Sequence, residues 1–251
     1  MLRRILLAAV AGAMLCVPAS AQTVDELIAK NAAARGGLDK IKAISSLRMV
    51  GKMTVGPGMD APFALEMKRP MFVRTEFTIQ GMTGIQAYDG STGWAVMPFN
   101  GNPEPEAMSA DDLKEAEEQA DFDGPLVDYA AKGHKVELIG KEKVEGTDAY
   151  KLKVTLKGGD VRNIYLDAEY FLEIKTDGKR KMHGTEMEFE STMGDYKEVG
   201  GVMFPHAIEA GVKGSPQKQK LTFDKIEVNP ALDDTRFKMP PPKKEEPKPK
   251  G

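Results

Sequence analysis

The segment from Leu65 to Phe99 constrains the fold of this chain more than any other. It combines strand-like alternation with a basic pair before a proline (Lys68-Arg69-Pro70), a hairpin signal (Asp89-Gly90) and an aromatic strand that closes on Met97-Pro98-Phe99. Apolar residues that alternate with polar ones place one face of a strand in a core and the other in water. Nothing in the segment has the pattern of a catalytic apparatus, so it predicts a container rather than an enzyme.

The same two-residue period continues along the chain after Ser46. Its clearest instance is 186–190, where Met187 and Phe189 share one face and the intervening glutamates the other. Strands are predicted at Leu65–Lys68, Met71–Ile79, Leu152–Lys157, Val161–Leu166 and Leu221–Val228. Turns are predicted at Asp89-Gly90, Asn100-Gly101, Gly158-Gly159, Asp177-Gly178 and Gly200-Gly201. This spacing is typical of a sandwich or barrel, and predicts a mainly β (α+β) domain of about eleven strands.

Helices are predicted at the start of the chain and near its middle. Thr23 followed three residues later by Glu26 is a capping-box pattern that begins the first helix. Two glycines end it, and the apolar residues between 38 and 44 predict a second short helix. Between Ser109 and Ala131 the pattern is again helical, in two short helices separated by Gly124-Pro125.

The first residues predict export. A positive start at Arg3-Arg4, an apolar run over 5–17 and the small residues Ala19-Ser20-Ala21 together predict a cleavable signal peptide over 1–21. The apolar run is shorter than the ~20 residues that span a bilayer. We therefore expect a soluble, exported protein after cleavage. The only cysteine, Cys16, lies in this leader, so the mature chain has no thiol for disulfides, metal or catalysis.

Residues 22–240 are predicted to form a single domain and 241–251 a disordered tail. The tail consists almost wholly of Pro, Lys, Glu and Gly, which bury too little apolar area to offset the entropy of ordering. The full chain has a net charge of −3 at pH 7, and removing the leader takes away two arginines and no acidic residue. A mildly acidic domain argues against a nucleic-acid partner.

The sequence shows no recognisable catalytic or metal-binding motif. It has no Gly-x-Ser-x-Gly elbow, no His-Glu-x-x-His pair, no phosphate-binding glycine loop and no calcium loop. Its histidines are His134, His183 and His206. Since His183 and Glu186 are three apart in a predicted strand, they face opposite sides and make a poor metal site. We therefore predict no metal, no cofactor and no enzymatic activity.

Methionine is enriched in the mature chain. Of the 15 methionines, all but Met1 and Met14 lie after the leader. Unbranched, polarizable side chains adapt to irregular apolar partners, and surfaces that accept varied apolar ligands overuse them. Ordinary core filling explains the same count, so methionine content alone does not distinguish a ligand cavity from a core.

Several motifs together resemble the outer-membrane lipoprotein-sorting family, the LolA/LolB-like periplasmic carriers. They are Lys68-Arg69-Pro70, Asp89-Gly90, the aromatic strand ending in Pro98-Phe99, and the closing run from Asn229-Pro230 to Met239-Pro240. The resemblance implies a curved, incomplete antiparallel β-barrel lidded by short helices. It also implies that acyl chains of a lipoprotein enter between the barrel and the helices.

The resemblance further implies a set of cavity and lid residues. Arg69 matches the arginine that holds the lid shut by hydrogen-bonding helix carbonyls, a task suited to the several donors of a guanidinium. The alternative is a surface arginine before an edge-strand proline. Trp94 and Phe99 match aromatic positions that either line the cavity or pack the core. Four methionines fall in the strands that the resemblance assigns to the cavity: Met53, Met67, Met71 and Met97.

The implied cargo is an acylated lipoprotein or lipid, carried toward the outer membrane by a monomer. An inner-membrane ABC-type exporter would load it and an outer-membrane receptor would accept it. The segment Ala34-Arg35-Gly36-Gly37-Leu38 and the basic tail depart from the best-studied carriers, which leaves a free lipid or glycolipid open as cargo.

Two alternatives to the carrier remain open. One is an envelope sensor or accessory domain of the same fold that contacts a protein partner, and the other is a periplasmic hydrolase. An open apolar cavity would favour the carrier, a cavity filled by the protein's own side chains the sensor, and buried polar groups converging on it catalysis.

Overall fold

The protein is described by a computed structural model that covers residues 22–56, 58–182 and 185–241. The predicted leader, the tail beyond Pro241 and His183 lie outside these residues. The strands are β1 (Ser46–Gly56), β2 (Met59–Lys68), β3 (Phe72–Ile79), β4 (Met82–Asp89), β5 (Gly93–Met97), β6 (Asn102–Ala107), β7 (Lys135–Val144), β8 (Thr147–Thr155), β9 (Val161–Asp167), β10 (Glu173–Met182), β11 (Thr185–Val199), β12 (Val202–Val212) and β13 (Gln219–Val228).

These thirteen strands form one antiparallel sheet, in the order β6-β5-β4-β3-β2-β1-β13-β12-β11-β10-β9-β8-β7. Two meanders, β1–β6 and β7–β13, are joined where the first strand pairs with the last. The curved sheet does not close, because β6 and β7 are its two edges. The predicted incomplete antiparallel barrel is therefore confirmed, with thirteen strands instead of about eleven.

Within the described residues, three α-helices accompany the sheet: α1 (Val24–Ala34), α2 (Leu38–Ala43) and α3 (Ala110–Ala120). The capping box predicted at the start of α1 is present, since Thr23 N donates to Glu26 Oε2 at 2.9 Å and Glu26 N donates to Thr23 Oγ1 at 3.2 Å. Ser109 caps α3 by accepting from the backbone N–H of Asp112. Short 3₁₀ turns lie at Pro98–Asn100 and Asp234–Arg236.

The glycines between α1 and α2 permit a close approach to the sheet. Gly36 has φ of 118°, and a Cβ there would lie 2.2 Å from the carbonyl oxygen of Gly201, in the turn between β11 and β12. The neighbouring Met203 N donates to the Arg35 carbonyl at 2.9 Å. The helix pair is therefore fixed against the β11–β12 turn.

Two local predictions were wrong. Asp177-Gly178 is not a turn but lies within β10. A Cβ on Gly178 would come 2.8 Å from the carbonyl oxygen of Val161, so this glycine marks a close contact between strands. The second short helix after Gly124-Pro125 does not form, because the segment 125–133 is a series of turns with φ of 54° at Asp128.

The helices cover one face of the sheet, which we call the inner face; the opposite face is the outer face. Leu27 of α1 is fully buried against Leu152 of β8 and its neighbours. Ala116 of α3 packs on Val73 of β3. The core thus lies between the helices and the inner face.

Strand β11 shows the predicted alternation. Met187 and Phe189 pair across the sheet with Arg180 and Gly178, and Arg180 lies over the Phe189 ring at 3.9 Å from its centroid. These positions belong to the inner face, since Arg180 also contacts α3. The three glutamates of the pattern lie on the outer face, each paired with lysine: Glu186, Glu188 and Glu190.

Candidate functional site

Arg69 joins helix α2 to the turn between β2 and β3. Its Nε donates to the carbonyl oxygen of Ile44 at 2.7 Å and its Nη2 to that of Ile41 at 3.2 Å. These carbonyls lie at the C-terminal end of α2, where such groups lack intrahelical partners. The same guanidinium makes a two-pronged ion pair with Asp123, after α3, with Nη1 3.0 Å from Oδ2. We call these contacts the Arg69 latch.

The latch is partly shielded from water. The side chains of Arg69 and Asp123 are 29% and 14% exposed, and the guanidinium lies over the Phe122 ring at 4.7 Å from its centroid. Burial by itself would raise the pKa of Asp123, but hydrogen bonds and charge from Arg69 hold that pKa below its ordinary value. Arg35, after α1, donates from Nη1 to the Asp123 carbonyl oxygen at 3.2 Å. All three helices are therefore connected at Asp123.

Helix α3 crosses the inner face with two unlike sides. Its apolar side, which includes Ala116 and Ala120, packs on β3 and β4. Its other side is joined to β9, β10 and the turn before β9 by three ion pairs: Glu118–Arg162, Glu115–Arg180 and Lys114–Asp160. We call these the α3 ion pairs. Their side chains are between 27% and 59% exposed, so water reaches them.

A cavity of about 1000 Å³ lies between α3 and strands β9–β11. The α3 ion pairs and Phe189 are among its lining residues. A smaller cavity of about 130 Å³ lies on the other side of α3, against β3 and β4, and Val73, Met108 and Ala116 are among its lining residues. The larger space has charged walls, unlike the open apolar cavity that we took as the signature of a carrier.

The floor of the inner face is filled by the protein's own side chains. Met53 is 6% exposed and belongs to one cluster with Phe63 and Phe223. Met67 belongs to the same cluster and, with Met71, packs beneath α3. Three of the methionines singled out from the sequence therefore face the helices. In this closed arrangement they fill the core, and their contact with a ligand stays a prediction.

Trp94 points away from the helices. It pairs with Ala87 of β4, which pairs in turn with Arg74 of β3, and these positions share the outer face. The indole Nε1 donates to the carbonyl oxygen of Phe237 at 2.8 Å, and the side chain is 3% exposed. Trp94 thus fixes the C-terminal segment to the outer face, which agrees with the core-packing alternative, and a role for it in ligand binding stays a prediction.

Phe99 and Met97 lie at the rim of the inner face. Phe99 packs on Phe77 of β3 with ring centroids 5.4 Å apart, and Phe77 belongs to the floor cluster. Met97 ends β5 directly before the 3₁₀ turn that carries Phe99. Both side chains are half-buried. A role for this pair in ligand binding stays a prediction.

An acidic side chain on the inner face was missed by the sequence reasoning. Glu173 begins β10 and pairs across with Leu166, a core residue. Burial raises the pKa of Glu173, while the charges of Arg35 and Arg162 partly oppose that shift. The Tyr196 hydroxyl donates to the backbone carbonyl of Glu173 at 2.7 Å. A register shift directly after Glu173 interrupts the alternation, so its inward position has no local sequence signal.

The described histidines have backbone contacts. His134 Nδ1 accepts from Lys157 N at 3.0 Å, and His206 Nδ1 lies 3.1 Å from the Phe204 carbonyl oxygen.

Within the residues that the structure describes, no three His, Cys, Asp or Glu side chains are grouped so as to hold a metal ion. The same part of the chain contains no helix long and apolar enough to cross a membrane.

No sequence profile of a known family and no curated protein matches this chain. Solved structures resemble it throughout most of its length. An outer-membrane lipoprotein-sorting protein domain from Vibrio parahaemolyticus has a TM-score of 0.58 at 11% identity, covering 86% of this chain and 97% of the other. A DUF1329 family protein from Desulfovibrio piger has a TM-score of 0.61 at 13% identity, with coverages of 86% and 97%.

A third similar structure is a LolA superfamily protein from Nitrosomonas europaea. It has a TM-score of 0.55 at 14% identity, and the match covers 87% of this chain and 98% of that protein. Identities this low establish the fold alone. The chain therefore has the fold of the LolA superfamily and of outer-membrane lipoprotein-sorting domains, as its sequence motifs predicted.

Proposed function

We propose that this protein is a non-catalytic periplasmic carrier that binds acyl chains of a lipoprotein or lipid between the inner face and the helices, and shuttles them toward the outer membrane. One observation carries the proposal: short helices cover the apolar inner face of an open sheet, and the Arg69 latch joins them at a single point. The fold shared with lipoprotein-sorting domains supports it.

The energetics of the closed arrangement suit reversible binding. An acyl chain gains ~0.8 kcal/mol for each methylene that it buries, so a few methylenes offset the loss of the latch. The floor side chains would have to move aside for a ligand. Met53 and Met67 suit this, because unbranched methionine side chains change rotamers readily. A lid equilibrium of a few kcal/mol is enough for uptake and release.

The wider pathway is part of the same proposal. Residues 1–21 act as the signal peptide, and the mature monomer receives its cargo from an inner-membrane ABC-type exporter and passes it to an outer-membrane receptor. The tripartite pattern of the leader and the fold resemblance support this assignment.

Native mass spectrometry with lipid extraction tests the proposal on mature protein purified from its native envelope. A carrier is expected to co-purify with lipid or lipoprotein that detergent displaces, or to gain mass when an acylated peptide is added. A clean apo mass that does not change with acylated peptide would reject the carrier function.

The Arg69→Leu variant tests the lid. We expect it to fold and to retain acylated peptide for a shorter time, because α2 loses its contacts with the β2–β3 turn. The matched control is Arg48→Leu, which removes an arginine paired with Glu66 on the outer face and should leave retention unchanged. Equal retention by wild type and Arg69→Leu would remove Arg69 from the mechanism.

A second candidate is an envelope sensor or accessory domain of the same fold that contacts a protein partner. The filled floor around Met53 and Phe63 favours it, since such a domain needs no room for acyl chains. It predicts no uptake of acylated peptide and recovery of one protein partner by crosslinking in the intact envelope. Uptake that Arg69→Leu alters would reject it.

A further inference from the structure

The larger cavity holds two arginines side by side on the inner face. Arg162 of β9 lies opposite Gly178 of β10, and Arg180 is two residues further along the same face. Gly178 places no side chain between them, and a Cβ there would come 2.8 Å from Val161 O, which excludes one. Both guanidinium groups therefore line one cavity of about 1000 Å³ without a side chain to separate them.

In the closed structure both arginines are bound by carboxylates of the lid itself. Glu118 pairs with Arg162 and Glu115 with Arg180. A guanidinium binds carboxylate and phosphate oxygens with the same fork of donors. An anionic ligand that enters the cavity therefore competes with α3 for these two arginines.

Carboxylates on the neighbouring strands have partners other than this arginine pair. The glutamates of β11 are neutralised by lysines; Glu190, for instance, lies 2.8 Å from Lys175 and 3.1 Å from Lys218. Those hydrogen bonds hold the pKa of Glu190 at about 2. Asp177 accepts from Asn163 and Tyr165. Glu118 and Glu115 each contact one arginine of the pair directly.

An apolar surface adjoins the pair. The Phe189 ring, beneath Arg180, lines the same cavity. Along β11 the inner face continues to Met193, which pairs with Ile208, a residue that packs against the floor cluster. The two arginines thus adjoin an apolar surface, an arrangement that suits an amphiphile with an anionic head group once the carboxylates of α3 are displaced.

We propose that Arg162 and Arg180 form the binding site for a phosphate head group of an acylated ligand, which displaces Glu118 and Glu115 and so releases the charged side of α3. This rests on the proposed carrier function and refines its ligand class. It assigns a phosphate-bearing lipid as cargo rather than a lipoprotein whose acylated end carries no phosphate.

The test compares lipids with the same acyl chains. Affinities of the mature protein are measured by native mass spectrometry for dioctanoyl phosphatidylglycerol, dioctanoylglycerol and inorganic phosphate. We expect the anionic lipid to bind about tenfold more tightly than the neutral one, the value of one charge-assisted hydrogen-bonded contact. Inorganic phosphate alone, which lacks the apolar contacts, should bind much more weakly.

Variants with two substitutions test whether Arg162 and Arg180 bind the head group. Arg162→Gln with Arg180→Gln should abolish the preference for the anionic lipid over dioctanoylglycerol, whereas Arg48→Gln on the outer face should leave that preference unchanged. Glu115→Gln with Glu118→Gln removes the competing carboxylates, so it should raise affinity for the anionic lipid, a gain that misfolding cannot produce.

Three outcomes would overturn the inference. Equal binding of both lipids, unaffected by the arginine variants, would reject it and leave the carrier function intact. Phosphate binding as tight as lipid binding would reject an acylated ligand at this site. Failure of wild type to bind either lipid or acylated peptide would reject the carrier function together with it.

Discussion

The Arg69 latch and the α3 ion pairs both join helices to the sheet, but they differ in their exposure to water. Asp123 in the latch is 14% exposed, whereas Glu115 in the α3 ion pairs is 59% exposed. The latch also adds two neutral carbonyl acceptors on α2 to its ion pair. Exposed pairs gain little, since water and salt screen them. We infer that the latch sets the stability of the lid and that the α3 side is the one that opens.

The largest expected effect is on the latch. Arg69→Leu should lower the free energy of unfolding by about 2 kcal/mol, because it leaves the shielded Asp123 carboxylate without its partner. Urea denaturation of the wild type and variant measures this. Arg69→Lys serves as the control and should be intermediate, since an ammonium retains the charge but not the fork. A loss no larger than that of a surface substitution, about 0.5 kcal/mol, would contradict the comparison.

Acid should weaken the Arg69 latch. The pKa of Asp123 is lowered in the folded protein, so its contribution to stability is present above the unfolded-state pKa of about 3.9 and is lost as pH falls through the folded-state value. The stability difference between wild type and Asp123→Asn should therefore be largest near neutral pH and shrink below about pH 4. Urea denaturation across this range measures it; a difference that grows in acid would refute the assignment.

The smallest effect is expected on the α3 side. Glu115→Gln with Glu118→Gln should lower the free energy of unfolding by less than about 1 kcal/mol, and by less still at high salt. Unfolding at about 50 mM and about 500 mM sodium chloride measures the change, with Arg69→Leu as the salt-insensitive comparison. If the loss of unfolding free energy depended equally on salt in both variants, the Arg69 latch and the α3 ion pairs would not differ in their exposure to solvent.

The sequence was most informative where structure is local. The capping box of Thr23 and Glu26 formed as predicted, and β11 showed the alternation read from 186–190. It was least informative where a residue depends on a distant partner. Gly178 resembled a turn, but it is a glycine because Val161 O approaches it from the neighbouring strand.

The candidate site shows the same division. The motif around Arg69 identified a residue that does contact the carbonyls of a helix, although its role in ligand retention stays a prediction. The aromatic motif around Trp94 identified a buried residue, but residue type alone did not decide which face of β5 it occupies. Glu173 had no signal, since its inward position follows from a register shift.

By itself, the sequence determined the kind of molecule: an alternating, turn-punctuated chain with capped helices folds into a mainly antiparallel sheet, because these patterns act over a few residues. Only the tertiary structure decided which face each strand presents and which groups meet. Arg69 and Asp123 are 54 residues apart, and Arg162 and Glu118 are 44 apart. Such contacts depend on strand register and on bulges across the whole sheet, which no local pattern encodes.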